Sequence, residues 1–408
     1  MPTWEMIAGA AGGGTFADAP AWSAPGGTVV PITAAENRAQ TKVYSSYTWT
    51  NLYVRCTTWN TVNSVVNSRI GAANGNQTVT VTGTGVFQDT VNTDALVDQN
   101  LIDIQHDQVG AGNKAYKVWG STLQDTGTNT TIQIATSSAT QVAAFGSTFF
   151  TVIEGQVNAA TGMATTESDV QHTIRRATTY SNLRVFLQAN SVNADSSWRL
   201  RIDTGGGAAN GNQVATLTAS TTGAFEDTTN SDVVAASDEI NYSLVTGGTS
   251  GSMVPSLAQM KHISTGREMA AAQPIGASQT ADGYFVAESN GTSTVTETDT
   301  QIAARAAFTG KNLFVNVKTH GLTGGVDIFL RKNTANSALT VNIPQSTTGL
   351  FEDTTNQVSI AVTDLYNYFL DKGAGAGAIT PTVIGMEQAP DDAISGGGKG
   401  YPSQMFNP

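Results

Sequence analysis

The chain has 408 residues, of which 13% are charged, and a net charge of −12 from 20 basic and 32 acidic side chains. No Lys/Arg cluster interrupts that acidic balance, which excludes the basic surface that a phosphate-binding nucleic-acid partner requires. A single cysteine, Cys56, excludes an intrachain disulfide and a cysteine-based metal site. Length alone sets two to four domains at roughly 100–200 residues each.

The N-terminus, MPTWEMIAGAAGGG, lacks the positive start and apolar stretch of a secretory signal. No later run reaches the ~18 apolar residues of a membrane helix. The chain is therefore expected to be made and folded in a cytoplasm. Residues 1–27 read as an N-terminal arm, because Gly12 to Gly14 and the small residues around them carry no strand pattern.

A first unit follows over residues 28–140 and returns twice, over 141–272 and 273–390. The repeat is carried by GVFQDTVNTD, GAFEDTTNSD and GLFEDTTN around Phe87, Phe225 and Phe351. An Asn-Leu pair opens an apolar run in NLYVRC, NLRVFL and NLFVNV, at Asn51, Asn182 and Asn312. Ahead of each pair stand Glu36/Gln40, Glu167/Gln171 and Glu297/Gln301, at intervals of 131 and 130 residues. AANGNQ occurs at Ala72 and Ala208, with TANSA from Thr334 as its looser third copy. The later segments VDQNLIDI, SDEINYSL and TDLYNYFL align so that Leu101-Ile102 matches the Asn-Tyr pairs at Asn241 and Asn367.

Within unit two, VQHTIRRA, NLRVFLQA, SWRLRID, QVATLTAS, EINYSLV and VPSLAQMK alternate with period two between turn-rich stretches. Leu183, Val185 and Leu187 face one way, and Arg184, Phe186 and Gln188 the other. FFTVIEG (149–155) and GYFVAESNG (283–291) add a further strand to their units. Thr and Val suit a pleated surface, and the 42 glycines disfavour helix. The expected fold is all-β: three tandem jelly-roll-like or β-sandwich domains of about 110–130 residues with short terminal arms. Residues 125–141 and 266–280 read as linkers, and 391–408 as a C-terminal arm. SLAQMKHI, before the second linker, reads as strand or short helix.

Few residues suggest chemistry. Asp227, Asn230 and Asp232 place several oxygens close together, echoed at Asp89, Asn92 and Asp94, and such a loop could supply part of a calcium site. The alternative is a turn whose Asp and Asn side chains bond the local backbone. No other cofactor is expected. The repeated Glu and Gln are read as satisfying backbone donors where a strand enters the sandwich. His106, His172, His262 and His320 occupy unrelated places and lack the partners of a zinc site. No nucleophile elbow, P-loop or pair of converging carboxylates stands out, so no enzyme is expected. Six tryptophans could stack on sugar rings, which keeps a carbohydrate-binding adhesin as a rival. They do not recur at equivalent repeat positions, so core or interface packing is the better expectation.

The Thr/Gly/Asn-rich composition, the repeated G-x-F-[EQ]-D-T-[TV]-N signature and the tandem sandwiches over residues 28–390 together resemble surface proteins of tailed-bacteriophage virions. The resemblance implies a non-enzymatic structural role as capsid decoration, head fibre or tail component. It also implies other virion proteins as partners, such as a major capsid or tail protein, and a homo-oligomer located in the virion. A filament-forming extracellular protein is a further alternative.

Overall fold

The computed structural model describes residues 2–16, 20–27, 35–59, 61–107, 114–137, 143–158, 163–272, 276–373 and 375–390. Among them, the helical elements are three-residue 3-10 turns at Glu36–Arg38, Glu167–Asp169 and Glu297–Asp299, and the rest is strand and loop. The fold is all-β.

Domain three gives the pattern plainly. Its eight principal strands are Arg267–Ala272, Gly283–Phe285, Phe308–His320, Val326–Lys332, Ala335–Ile343, Gly349–Ile360, Leu365–Asp371 and Ile379–Pro390. One sheet takes the first, eighth, third and sixth of these in that order, and the other takes the second, seventh, fourth and fifth. This is the two-sheet arrangement of a jelly roll. Domains one and two repeat it, with the sixth strand of domain one divided into Gly85–Gln88 and Thr93–Leu96.

The observed strands move the domain boundaries. The stretch expected as an N-terminal arm contains Thr3–Phe16, the opening strand of domain one, paired antiparallel with Lys114–Asp125. Both expected linkers likewise contain opening strands. Thr130–Ser137 pairs with Ser252–Ile263, and Arg267–Ala272 pairs with Ile379–Pro390. SLAQMKHI is strand throughout. Small, polar residues conceal these strands because each sits against a neighbouring domain and needs little bulk. Gly9 lies against Val286, and a Cβ on it would come within 2.3 Å of that side chain. The expected C-terminal arm, 391–408, lies outside the described residues.

Local chemistry explains the repeated motifs. Asn51, Asn182 and Asn312 have φ of 59°, 55° and 52°, the left-handed region that asparagine tolerates better than most residues. At Asn182 and Asn312 the ladder to the sixth strand shifts register across the asparagine. The backbone N–H of the next residue is then bonded by a side chain from the fifth strand: Leu52 to Gln77 Oε1 at 3.0 Å and Leu183 to Gln213 Oε1 at 3.1 Å. Domain three places the buried Leu339 at that position.

Leu183, Val185 and Leu187 do share the core of domain two. The opposite face of that strand is not left to water. Phe186 joins the apolar cluster of domain one, together with Ile132, Ile134 and Leu257. Apolar packing crosses the other seams too: Ile7, Tyr53 and Val118 of domain one belong to the core of domain three, and Val152 and Val170 of domain two pack with Phe314 and Val383.

Candidate functional site

The proposed calcium residues are engaged by protein donors. Asp227 Oδ1 accepts the backbone N–H groups of Thr229 and Asn230, each at 3.0 Å, and Oδ2 accepts Val214 N at 2.8 Å and Asn230 Nδ2 at 2.9 Å. Asp232 accepts Asn212 N at 2.7 Å and Gln213 N at 3.1 Å. Asp89 repeats the pattern with Val91, Asn92 and Thr78, while Asp94 accepts Asn76 N at 2.6 Å. Burial raises the pKa of Asp353, the third copy, but bonds from Asn356, Thr340 and Thr355 outweigh it and bring the value to about 2. Each signature aspartate therefore fastens its own turn to the neighbouring strand. Among the described residues no group of three His, Cys, Asp or Glu side chains is placed to hold a metal ion.

The repeated glutamates do something other than meet backbone donors. Glu167 grips Arg201 through both oxygens, at 2.7 and 3.0 Å, while Arg201 also donates to Asn210 Oδ1 and Ala208 O, each at 2.7 Å. Glu297 binds Arg331 in the same two-pronged way, and Arg69 donates to Glu36 Oε1 at 2.9 Å. The planar guanidinium fork suits that geometry. Each clamp ties the 3-10 turn to the fourth strand and to the start of the fifth, through Asn74, Asn210 or Asn336.

His106, His172 and His262 are buried, and burial holds each near pKa 3, far from the range of a general base at neutral pH. Trp4, Trp49, Trp119 and Trp198 are fully buried, which removes them as sugar platforms; Trp22 and Trp59 are half-buried.

What remains is a set of contacts between domains that recurs at all three seams. The residue eight positions after each repeat glutamate is Tyr44, Arg175 or Arg305. Each reaches the variable residue of the next domain's Phe-x-Asp-Thr signature. Tyr44 donates to Glu226 Oε1 at 3.3 Å, Arg175 pairs with Glu352, and Arg305 donates to Gln88. Each also meets the residue two places after the next domain's asparagine. Arg175 lies 5.1 Å from the ring centre of Phe314, and Arg305 lies 4.6 Å from that of Tyr53. At the first seam the partners are exchanged, and Tyr44 sits beside Arg184. The last residue of each 3-10 turn crosses as well: Arg38 to Gln188 at 3.2 Å, Asp169 to Lys318 at 2.7 Å, and Asp299 to Lys117 at 2.7 Å.

Domain one thus docks on two, two on three, and three on one. The chain closes into a ring. At the centre lies Arg267, 1% exposed, which contacts all three domains. It donates to Glu5 O of domain one, pairs with Glu154 of domain two at 2.5 Å, and pairs with Glu288 of its own domain. The opening-strand register makes Trp4 and Thr131 its counterparts in domains one and two. The tyrosine or arginine at position 44, 175 or 305 and the Glu/Gln of the signature were readable as repeat positions, but only folding shows that they meet.

No protein-family model matches the chain, and no curated protein matches it. Among solved structures, the chain is similar to one of infectious bursal disease virus Gx strain, with 11% identity, a TM-score of 0.23, and coverage of 98% of this chain and 83% of that one. A second is described as the triple jelly roll fold and turret assembly in an archaeal virus (11% identity, TM-score 0.19, coverage 85% and 80%). A third is the VP2 subviral particle of infectious bursal disease virus (10%, 0.20, 97% and 81%). TM-scores near 0.2 carry no weight for fold or function, so the jelly-roll assignment rests on strand order alone.

Proposed function

We propose that this protein is a non-enzymatic structural component of a virion, in which one chain serves as a covalently linked trimer of jelly rolls. The observation that carries this is the closed ring: three copies of one fold meet through the same contacts, including a third seam that no linker spans. Such a body offers three similar faces to a surrounding lattice, where weak contacts sum to firm attachment. The repeat residues are accounted for by turns, clamps and seams, and the buried histidines are unsuited to acid-base work. The resemblance in composition and signature to tailed-bacteriophage surface proteins supports a phage virion, with attachment to a major capsid or tail protein and self-association in the lattice.

The test is immunogold microscopy and protein mass spectrometry on purified particles from the native source. Regular label on capsids or tails supports the proposal and says which part the protein serves. Bare particles, with the chain recovered from cell envelopes or loose filaments, would overturn it.

A further inference from the structure

We propose that ring closure is proton-linked: the carboxylates sealed within the seams hold the domains together most firmly when protonated, and the seams loosen as those protons leave. The geometry sets this up through an excess of buried acids over buried bases. Arg267 faces both Glu154 and Glu288, and all three are about 1% exposed. Two ionised carboxylates on one sealed guanidinium would leave a negative charge without a counter-ion. Glu154 is also faced by Glu268 and by Tyr180, Tyr242 and Tyr368, none of which supplies positive charge. His262 lies near Arg267 and His172, and burial keeps both imidazoles neutral.

The same arrangement holds outward from the centre. Glu268 accepts the backbone N–H of Arg175 at 3.2 Å across the seam between domains two and three, with Glu387 on its other side. Glu387 is the better supplied of the two, with Arg176 at 2.9 Å and Lys311 at 3.4 Å. Glu5, at the register position equivalent to Glu268, crosses the seam between domains one and three. It accepts Ala306 N at 2.9 Å, the backbone N–H of Arg305, and Tyr366 Oη at 3.3 Å. The Arg305 guanidinium is turned to Gln88 and to the ring of Tyr53. Glu288 accepts Ile7 N at 2.8 Å beside it.

Burial raises Glu5 from 4.5 to about 7 against its hydrogen bonds and Arg305, and burial, joined by the neighbouring Glu387 and Glu154, raises Glu268 to about 7 against the backbone N–H of Arg175. Glu154 is raised by burial, with Arg267 pulling the other way. The sign follows directly. The unfolded chain releases these protons near pH 4.5 and the folded ring near 7, so stability is highest at the acid end, falls across that window, and is level above it. Each such carboxylate lowers the folded-to-unfolded ratio by about tenfold per pH unit within the window. Short connectors, 126–129 and 264–266, join the first two seams, while the seam held by Glu5 has no covalent link. It should open first.

The experiment uses the full chain. Urea midpoints and hydrogen exchange, corrected for intrinsic rate, are measured from pH 5 to 8.5 for the wild type, Glu5→Gln and Glu154→Gln. The wild type should lose stability over that range, with exchange rising first in Thr3–Phe16 and around Arg305. Each glutamine variant, a neutral stand-in for the protonated acid, should flatten the slope by about tenfold per pH unit. Infrared spectra of the wild type should show the carbonyl stretch of a protonated carboxylic acid at pH 6 that fades by pH 8.5, a readout that stands even where a variant fails to fold. A flat wild-type profile, unchanged slopes in both variants, or absence of that band at pH 6 would overturn the proposal.

Discussion

Asp103 is the residue at which the three copies disagree most usefully. It lies opposite Arg69, as Asn241 lies opposite Arg201 and Asn367 opposite Arg331. The Asn-Tyr pairs therefore match Asp103-Ile104, two residues beyond the alignment drawn from sequence. The shift matters chemically, because a buried asparagine in two copies is a charged residue type in the third. Burial first, then the nearby Glu36, raises Asp103 to about 8 against Arg69. The folded protein thus holds a proton there that the unfolded chain releases near 3.8, so this position loses stability as pH rises from about 4 to 8. Asp103→Asn should remove that slope. It should be near neutral at pH 4 and stabilising by on the order of 1–3 kcal/mol at pH 8, read from denaturant midpoints. A variant that is no more stable at pH 8 than the wild type would refute the account.

At the scale of elements, the long third strands show what sequence can reveal. Alternation in NLRVFLQ assigns the core face of Thr178–Asn190 correctly, since periodicity reports which side chains leave water. It does not say whether the other face meets water or protein, and here Phe186 and Arg184 meet domain one. The opening strands were missed for the complementary reason. Thr3–Phe16 carries AGAAGGG, which reads as a flexible arm until its neighbours are known. Gly155 makes this quantitative. Its φ is +84°, and a Cβ would come within 2.6 Å of Ala272 O and Ser289 O of domain three. Gly205 has a similar φ of +93° with nothing within 4 Å. Gly205→Ala should therefore cost only the left-handed strain, about 1–2 kcal/mol. Gly155→Ala should cost more and should raise hydrogen exchange in Arg267–Ala272. Equal losses from the two substitutions would show that the seam is looser than these distances imply.

For the whole molecule, the three jelly rolls are topologically separate but energetically joined. Apolar clusters cross every seam, and Arg267 binds groups from all three domains. Multidomain chains commonly unfold in stages. This one should instead give a single calorimetric transition near neutral pH, because removing any domain strips buried apolar and charged surface from the other two. Three resolved transitions would mean that the seams contribute little. The repeat itself was plain from motifs 130 residues apart, whereas closure was not, because the contacts that make it join Glu5 to Ala306 and Arg175 to Glu352.

Three unlike copies closed in a ring also give the molecule a direction. Around the centre, the equivalent places belong to Trp4, Thr131 and Arg267, an aromatic, a hydroxyl and a cation. Seated on an object with true threefold symmetry, the chain has three rotational settings that coincide in backbone and differ in side chain. An image reconstruction that imposes that symmetry would superpose indole, hydroxyethyl and guanidinium into one blurred density. Only symmetry-relaxed reconstruction would tell whether every copy is turned the same way.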